Sequence, residues 1–212
     1  MHARDRFLDL ALSCGALRFG EFTLKSGRLS PYFFNAGAIA SGASLAALGR
    51  AYAARLQASG IAYDGLYGPA YKGIALASAT AIALADQHGR DVPYSFNRKE
   101  AKDHGEGGVL IGAPLQGRIV IVDDVISAGT SVRESVALIR SHGAEPAAVL
   151  IALDRQERGQ GTRSAAGEVE AEYGLPVLAI ATLTDLLTYA GDRPELAAQR
   201  ERLAEYRARY GV

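Results

Sequence analysis

Apolar positions along this chain fall into blocks of two kinds. Ile119-Val-Ile-Val122 is β-branched at every position, with no polar residue between. A half-exposed strand would alternate, so this run predicts a central strand of a parallel sheet covered on both faces. Directly downstream, Val132, Val136 and Ile139 recur at the i, i+4, i+7 spacing of one helix face. The same reading predicts helices over Ser44–Ser59, closing at Gly60, over Gly73–Gln87, running up to Gly89, and over Ser164–Tyr173 and Asp185–Ala190. Strands are expected at Tyr63–Tyr67, Val92–Phe96, Pro146–Leu153 and Pro176–Ala181. At the N-terminus, Arg4, Asp5, Arg6 and Asp9 interleave with Phe7, Leu8, Ala11 and Leu12 as an amphipathic helix rather than a signal peptide. Asp192-Arg-Pro-Glu195 has capping-box spacing and should open a last charged helix, with Leu203, Tyr206 and Tyr210 on one face. Strands separated by helices throughout give an α/β fold, a central, mostly parallel sheet flanked by helices.

Composition narrows the function classes. The 212 residues are 49% hydrophobic, with 7 prolines, enough for one domain with a substantial core. A formal net charge of +0 offers no global attraction to nucleic acid or anionic lipid, so any anion site must be local. The longest weakly polar run, Ile74–Ala85, is too short to cross a bilayer. Cys14 is alone, which excludes an intrachain disulfide and fits a reducing compartment, so a cytoplasmic protein is expected.

The chemistry is concentrated after the apolar strand. Asp123 and Asp124 stand at its carboxyl end, where α/β sheets gather ligands. Ionised carboxylates side by side can accept hydrogen bonds from the neighbouring hydroxyls of a ribose. The following Ser127, Ala128, Gly129, Thr130 and Ser131 are small, so their backbone can wrap a phosphate at the next helix's N-terminus. A strand-to-helix turn with an acidic cap would share part of this pattern, but not the hydrophobic lead-in and hydroxyl-glycine loop together.

This run resembles the phosphoribosyl pyrophosphate (PRPP) signature of type I phosphoribosyltransferases. The resemblance assigns Asp123, Asp124, Val125 and Ile126, with the loop from Ser127 to Ser131, to PRPP. It implies that family's fold over residues 1–212, with residues 1–40 contributing a hood over the base site and a flexible catalytic loop.

Lysine usage adds to the picture. Of 23 Lys plus Arg residues only four are lysines, Lys25, Lys72, Lys99 and Lys102. In an arginine-preferring chain these suggest places wanting a compact point charge, although each alone also reads as a solvated loop cation. Lys72 lies in Tyr67-Gly-Pro-Ala-Tyr-Lys-Gly73, where Gly68 and Gly73 permit tight turns beside an anion. Tyr71 and Lys72 match the family's pyrophosphate loop. Asn97 to Gly108 concentrates Arg98, Lys99, Lys102 and His104 and ends in glycines, as a mobile flap or a solvated hairpin tip would.

The flap is similar, nearly residue for residue, to that of the orotate phosphoribosyltransferases, and so is Phe22–Asn35. By that resemblance Phe33, Phe34, Lys25, Ser127 and Arg155 would select orotate, Lys25 would also contact PRPP, and Arg155 would meet the base carboxylate. Taken singly, the two phenylalanines also read as core and Arg155 as a surface arginine. Ser127 replaces the subfamily's usual threonine but keeps the hydroxyl. The implied cofactor is Mg²⁺, held mainly by substrate and water without direct protein ligands, and the implied catalytic groups are Lys102, Arg98, Lys99, His104, Asp123 and Asp124. The implied partners are PRPP, orotate and a second subunit, in a homodimer sharing the catalytic loop. A PRPP-sensing regulator would want a nucleic-acid element that is absent here, and a purine or uracil transferase would not need Arg155. A dinucleotide-binding oxidoreductase would want a G-x-G-x-x-G after the first strand, which the chain lacks.

Overall fold

In the computed structural model, residues 2–24, 26–102, 108–127, 129–159 and 161–212 are described, with residues 100–102 and 108 as backbone only. Helix α1 (Ala3–Ser13) leads into an antiparallel hairpin, β1 (Leu17–Thr23) and β2 (Leu29–Phe34), and then α2 (Gly42–Ala58). Next come β3 (Gly65–Gly68), α3 (Lys72–His88), β4 (Tyr94–Lys102), β5 (Gly108–Gly112), β6 (Arg118–Asp123) and α4 (Thr130–Ser141). The chain ends with β7 (Glu145–Asp154), α5 (Ala165–Tyr173), β8 (Val177–Thr182), α6 (Leu183–Gly191) and α7 (Ala197–Tyr210). The main sheet has the order β5-β4-β3-β6-β7-β8 and is parallel except for β5, which runs antiparallel to β4.

The uninterrupted apolar run is explained by its position. On β6, Val120 and Val122 face a core shared with α1, α2, α3, α6 and α7. Ile119 and Ile121 face the opposite core, against α4 and α5. With period 2 and both faces covered, every position has to be apolar. On β7, Leu150 and Ala152 likewise join the first cluster, and Val149 and Ile151 the second. Val132, Val136 and Ile139 of α4 are buried as their spacing predicts.

Capping sets the helix limits. Helix α2 starts two residues before the predicted Ser44, because Ser41 is its N-cap and accepts from the Ser44 N–H at 3.2 Å while Ser44 bonds back. Gly89 ends α3 in the left-handed conformation, φ 60°. The capping box predicted at Asp192 does not form. The Asp192 N–H bonds to Thr188 and closes α6, Pro194–Leu196 makes a 3-10 turn, and α7 starts only at Ala197. The predicted short strand at Val92–Phe96 instead begins at Tyr94 and continues through the polar segment to Lys102.

Residues from both ends of the sequence meet. Arg4 on α1 pairs with Asp185 on α6 at 2.9 Å, the Tyr189 hydroxyl donates to Asp9 at 2.5 Å, and Tyr32 of β2 meets Tyr206 of α7 edge-on at 6.2 Å. The hairpin therefore rests on the last helix as well as on the first. Among the described residues no helix is long and apolar enough to cross a membrane.

Helices α2 and α3 touch at Gly49, where an added Cβ would lie 2.5 Å from the Ala79 carbonyl oxygen. Alanine gains about 1 kcal/mol of helix propensity over glycine, but overpacking against backbone costs about 1–3 kcal/mol. Gly49→Ala should therefore lower the thermal midpoint by a few degrees. An unchanged or higher midpoint in calorimetry would mean the two helices separate freely.

Candidate active site

The carboxyl end of β6 delivers Asp123 and Asp124, only 9% and 6% exposed, beside the parallel ends of β3 and β7. Asp123 accepts from the Ser131 hydroxyl at 2.9 Å and from the Asp124 N–H at 2.8 Å. Asp124 accepts from the Val125 N–H at 2.9 Å and pairs with the Lys72 ammonium at 2.6 Å. Their backbones are held as well. The buried Tyr52 hydroxyl of α2 donates to the Asp123 carbonyl at 2.8 Å, and the Ala152 N–H donates to the Asp124 carbonyl at 3.0 Å. Burial pushes the Asp123 carboxyl up from 3.8 to about 6, Asp124 pushes the same way, and the two hydrogen bonds and Lys72 oppose. Burial likewise pushes the Tyr52 phenol well above its ordinary value, so it stays a donor.

Val125 and Ile126 are half-buried and Ser127 is exposed, after which Gly129 caps α4 with φ 71° and no side chain. A cap without a side chain leaves first-turn N–H groups for an outside acceptor. Thr130 opens the helix, and Ser131 turns its hydroxyl inward to Asp123.

Lys72 starts α3 directly after the loop from β3. Gly68 and Gly73 are required there for close approach rather than for a left-handed turn. A Cβ on Gly68 would lie 2.0 Å from the Gly73 carbonyl oxygen, and one on Gly73 2.9 Å from the Val122 oxygen. Tyr71 is exposed, the Lys99 ammonium lies 4.7 Å from its ring centre, and the Ala70 N–H donates to the Asn97 side chain at 2.8 Å. The loop after β3 thus touches β4, which pairs with β5 from Ser95↔Gly112 to Lys102↔Gly108 to form the described arms of the expected flap. Arg98 and Lys99 lie on the β4 arm. Lys25, Ala128, His104 and the side chain of Lys102 fall outside the described residues.

Phe33 and Phe34 do not form one platform. Adjacent strand residues point to opposite faces. Phe34 is buried in the core against Phe7, with ring centres 6.1 Å apart, whereas Phe33 packs on Phe22 at 5.5 Å under Arg18. Only the backbone, not both rings, can be offered jointly to one ligand. Arg155, at the end of β7, lies 4.1 Å over the Tyr32 ring, donates to Ser30 at 3.0 Å and pairs with Glu157 at 2.6 Å. It joins the hairpin to the sheet rather than standing in solvent. Sequence reasoning missed Tyr52, Asn97 and Glu157. The Arg155-x-Glu157 spacing was available as a signal for the last, while the other two are polar groups whose partners lie far along the chain.

The arrangement can bind a sugar diol at Asp123 and Asp124, an anion at the start of α4, and a second anion near Lys72, Tyr71 and Lys99. It has a pH signature. Between about pH 4 and 6 the folded protein keeps a proton on Asp123 that the unfolded chain has released, so ionising Asp123 costs stability as pH rises through that window. Asp123→Asn should therefore be more stable than the parent at pH 7.5, by ~3 kcal/mol at most, with the advantage vanishing toward pH 4. A constant difference across melts from pH 4 to 8 would refute this.

Comparison with known proteins follows the same lines. A family model described as phosphoribosyl transferase domain matches residues 35–166. The orotate phosphoribosyltransferase of Thioalkalivibrio sulfidiphilus is 62% identical over 209 residues, covering 99% of this chain and 98% of its own. That of Laribacter hongkongensis is 63% identical with the same coverage. The crystal structure of the Francisella tularensis orotate phosphoribosyltransferase superposes with a TM-score of 0.87 at 38% identity, over 97% of this chain and 99% of that one. With a matching family model, relatives alike over nearly their full length and a shared fold, the chain belongs to the orotate phosphoribosyltransferase family.

Proposed function

We infer that this chain transfers ribose 5-phosphate from PRPP to orotate, giving orotidine 5′-monophosphate and pyrophosphate in pyrimidine synthesis. The observation that carries the reading is the buried Asp123–Asp124 pair running into the side-chain-free N-terminus of α4, with Arg155 on the neighbouring strand end. In the transfer, the bond from the anomeric carbon to the pyrophosphate oxygen breaks and a bond from that carbon to the ring nitrogen of the base forms, the nitrogen losing its proton. The sugar gains oxocarbenium character and the leaving group gains negative charge. Asp123 and Asp124 hold the ribose hydroxyls and face the developing positive charge, in a positioning role rather than as nucleophiles.

Lys72 with Tyr71 receives the pyrophosphate, and the flap cations Arg98, Lys99, Lys102 and His104 neutralise it as it departs, with Lys102 the main one. Ser127 and the backbone through Ser131 hold the 5′-phosphate. Arg155 meets the carboxylate that distinguishes orotate from uracil, with Lys25 and the Phe33–Phe34 backbone completing the base site. Mg²⁺ fits this site as a metal held mainly by PRPP and water: both carboxylates are already engaged by Ser131, Lys72 and backbone N–H groups, so the hard oxygens it prefers would come from substrate and solvent. When bound, the metal supplies further charge neutralisation at the diphosphate. The protein acts in the cytoplasm as a homodimer in which each flap serves the neighbouring site.

Purified protein given Mg²⁺ and PRPP should consume orotate and leave uracil, adenine and hypoxanthine; uracil turnover without orotate turnover would overturn the base assignment. Mixing inactive Lys102→Ala and Asp124→Asn subunits after reversible dissociation should restore about a quarter of parental activity. Half the dimers are then hybrids with one intact site of two. No recovery would place the flap in its own subunit's site.

A further inference from the structure

Arg155 is held by a device that the catalytic reading leaves unexplained. The residue after it, Gln156, adopts φ 50°, the one left-handed non-glycine among the described residues. Four contacts pin it there. Asp154 accepts from its N–H at 2.9 Å, its side-chain oxygen accepts from the Thr184 N–H and hydroxyl at 2.8 and 2.7 Å, and its carbonyl accepts from the Val212 N–H at 3.1 Å. A non-glycine residue fixed so thoroughly in a sparsely populated conformation marks a place where the backbone is serving a neighbour.

That neighbour is the pair on either side. The kink at Gln156 lets Arg155 and Glu157 meet at 2.6 Å, both side chains largely buried. Glu157 also lies 3.7 Å from Arg28 at the tip of the β1–β2 hairpin, and Arg28 donates to the Arg158 carbonyl at 2.8 Å. Behind the loop, residue 157 bridges Gly211 in antiparallel fashion and the Arg158 N–H bonds to the Tyr210 carbonyl at 2.9 Å. Gly211 tolerates no side chain there, since a Cβ would lie 2.5 Å from the Arg207 oxygen. Tyr32 supports the guanidinium from one face, with Tyr206 packed edge-on against Tyr32.

We propose that Glu157 is a positioning residue for base selection: by gripping Nη2 of Arg155 over the Tyr32 ring, it fixes the guanidinium in the one orientation that receives the carboxylate of the base. Arg155 has a long stem with many rotamers, and a guanidinium presents its remaining N–H donors to a carboxylate well only when its orientation is set beforehand. The ion pair with Glu157, the ring of Tyr32 and the Ser30 hydroxyl constrain that orientation from three sides. Because Glu157 also faces Arg28, the same carboxylate ties the hood hairpin to the strand end that carries Arg155. The proposal rests on Arg155 contacting the base, and its test separates the two.

Steady-state kinetics on Glu157→Ala, Glu157→Gln, Arg155→Ala and the Arg155→Ala/Glu157→Ala double variant decide it, with KM for orotate and for PRPP measured separately. Glu157→Ala should raise the orotate KM about tenfold, as expected for loosening a guanidinium held by a largely buried ion pair, with the PRPP KM within about twofold of the parent. The near-isosteric Glu157→Gln should retain part of the effect of the native side chain, and it carries the test if the alanine variant fails to fold. Because Glu157 acts through Arg155, the double variant should be no worse for orotate than Arg155→Ala. If Arg155→Ala raises the orotate KM and neither Glu157 variant does, the positioning role falls and the base contact stands. If Arg155→Ala leaves the orotate KM unchanged, the base contact falls and the proposal with it. A lower orotate KM in Glu157→Ala would make Glu157 a competitor of the substrate carboxylate, and equal rises in both KM values would make it structural; either overturns the proposal.

Discussion

Two carboxylates on consecutive residues, each less than a tenth exposed, have to be held side by side at the mouth of the sheet, and much of the fold is arranged around that burden. Burying one carboxylate next to another is unfavourable twice, through lost hydration and through mutual repulsion. The chain offsets this locally rather than with a global excess of positive charge, its net charge being zero. Asp123 takes a hydroxyl and an N–H, Asp124 takes an N–H and an ammonium, and both main-chain carbonyls are bonded to neighbouring elements. Such an arrangement requires a strand that cannot shift, and β6, covered on both faces, meets that requirement. A slip of one residue would exchange its two core faces and turn Asp123 away from Ser131.

A second layer, made from both ends of the sequence, meets this rigid centre at Arg155. The hairpin β1–β2, helix α7 and the residues after it are far apart in sequence, yet they converge on the short segment that follows β7. Strand β7 is paired with β6, so anything that fixes the end of β7 also fixes a group relative to Asp124. The paired-carboxylate site is therefore built by local chain continuity from β6 into α4, and the neighbouring arginine by long-range closure. The first tolerates little change in the sheet, and the second depends on contacts at the periphery.

That difference explains what could be read from the sequence. Strand β6 and helix α4 were legible because apolar period and loop chemistry are local properties, and so was the place of Asp123 and Asp124 at the carboxyl end of that strand. The environment of Arg155 was not, because Ser30 lies 125 positions away and Tyr32 nearly as far. Phe33 and Phe34 look equivalent as letters, but the pleat sends one to the core and the other outward. Polarity and glycines mark Asn97 to Gly108 as a mobile flap or a hairpin tip without showing how far the strands run into it. What makes its arms strands is the pairing of β4 with β5, a property of two segments together. Asp192 had the spacing of a cap but was already committed to ending α6, and a four-residue pattern does not record what precedes it.

The cations show how a site of this kind stays adaptable. Lys72 reaches Asp124 at 2.6 Å, but its side chain is 49% exposed, so the pair contributes no more than ~1 kcal/mol after solvent screening. Lys99 over the exposed Tyr71 ring contributes about 0.5–1 kcal/mol. Both contacts are weaker than the charge-assisted bonds a diphosphate offers, which are about twice as strong as neutral ones. The lysines can therefore exchange partners at little cost, whereas Arg155, largely buried between Glu157, Ser30 and Tyr32, cannot. In the proposed transfer, flexible point charges thus fall where a leaving group is taken up and let go, and the rigid planar cation falls where a carboxylate is told from its absence.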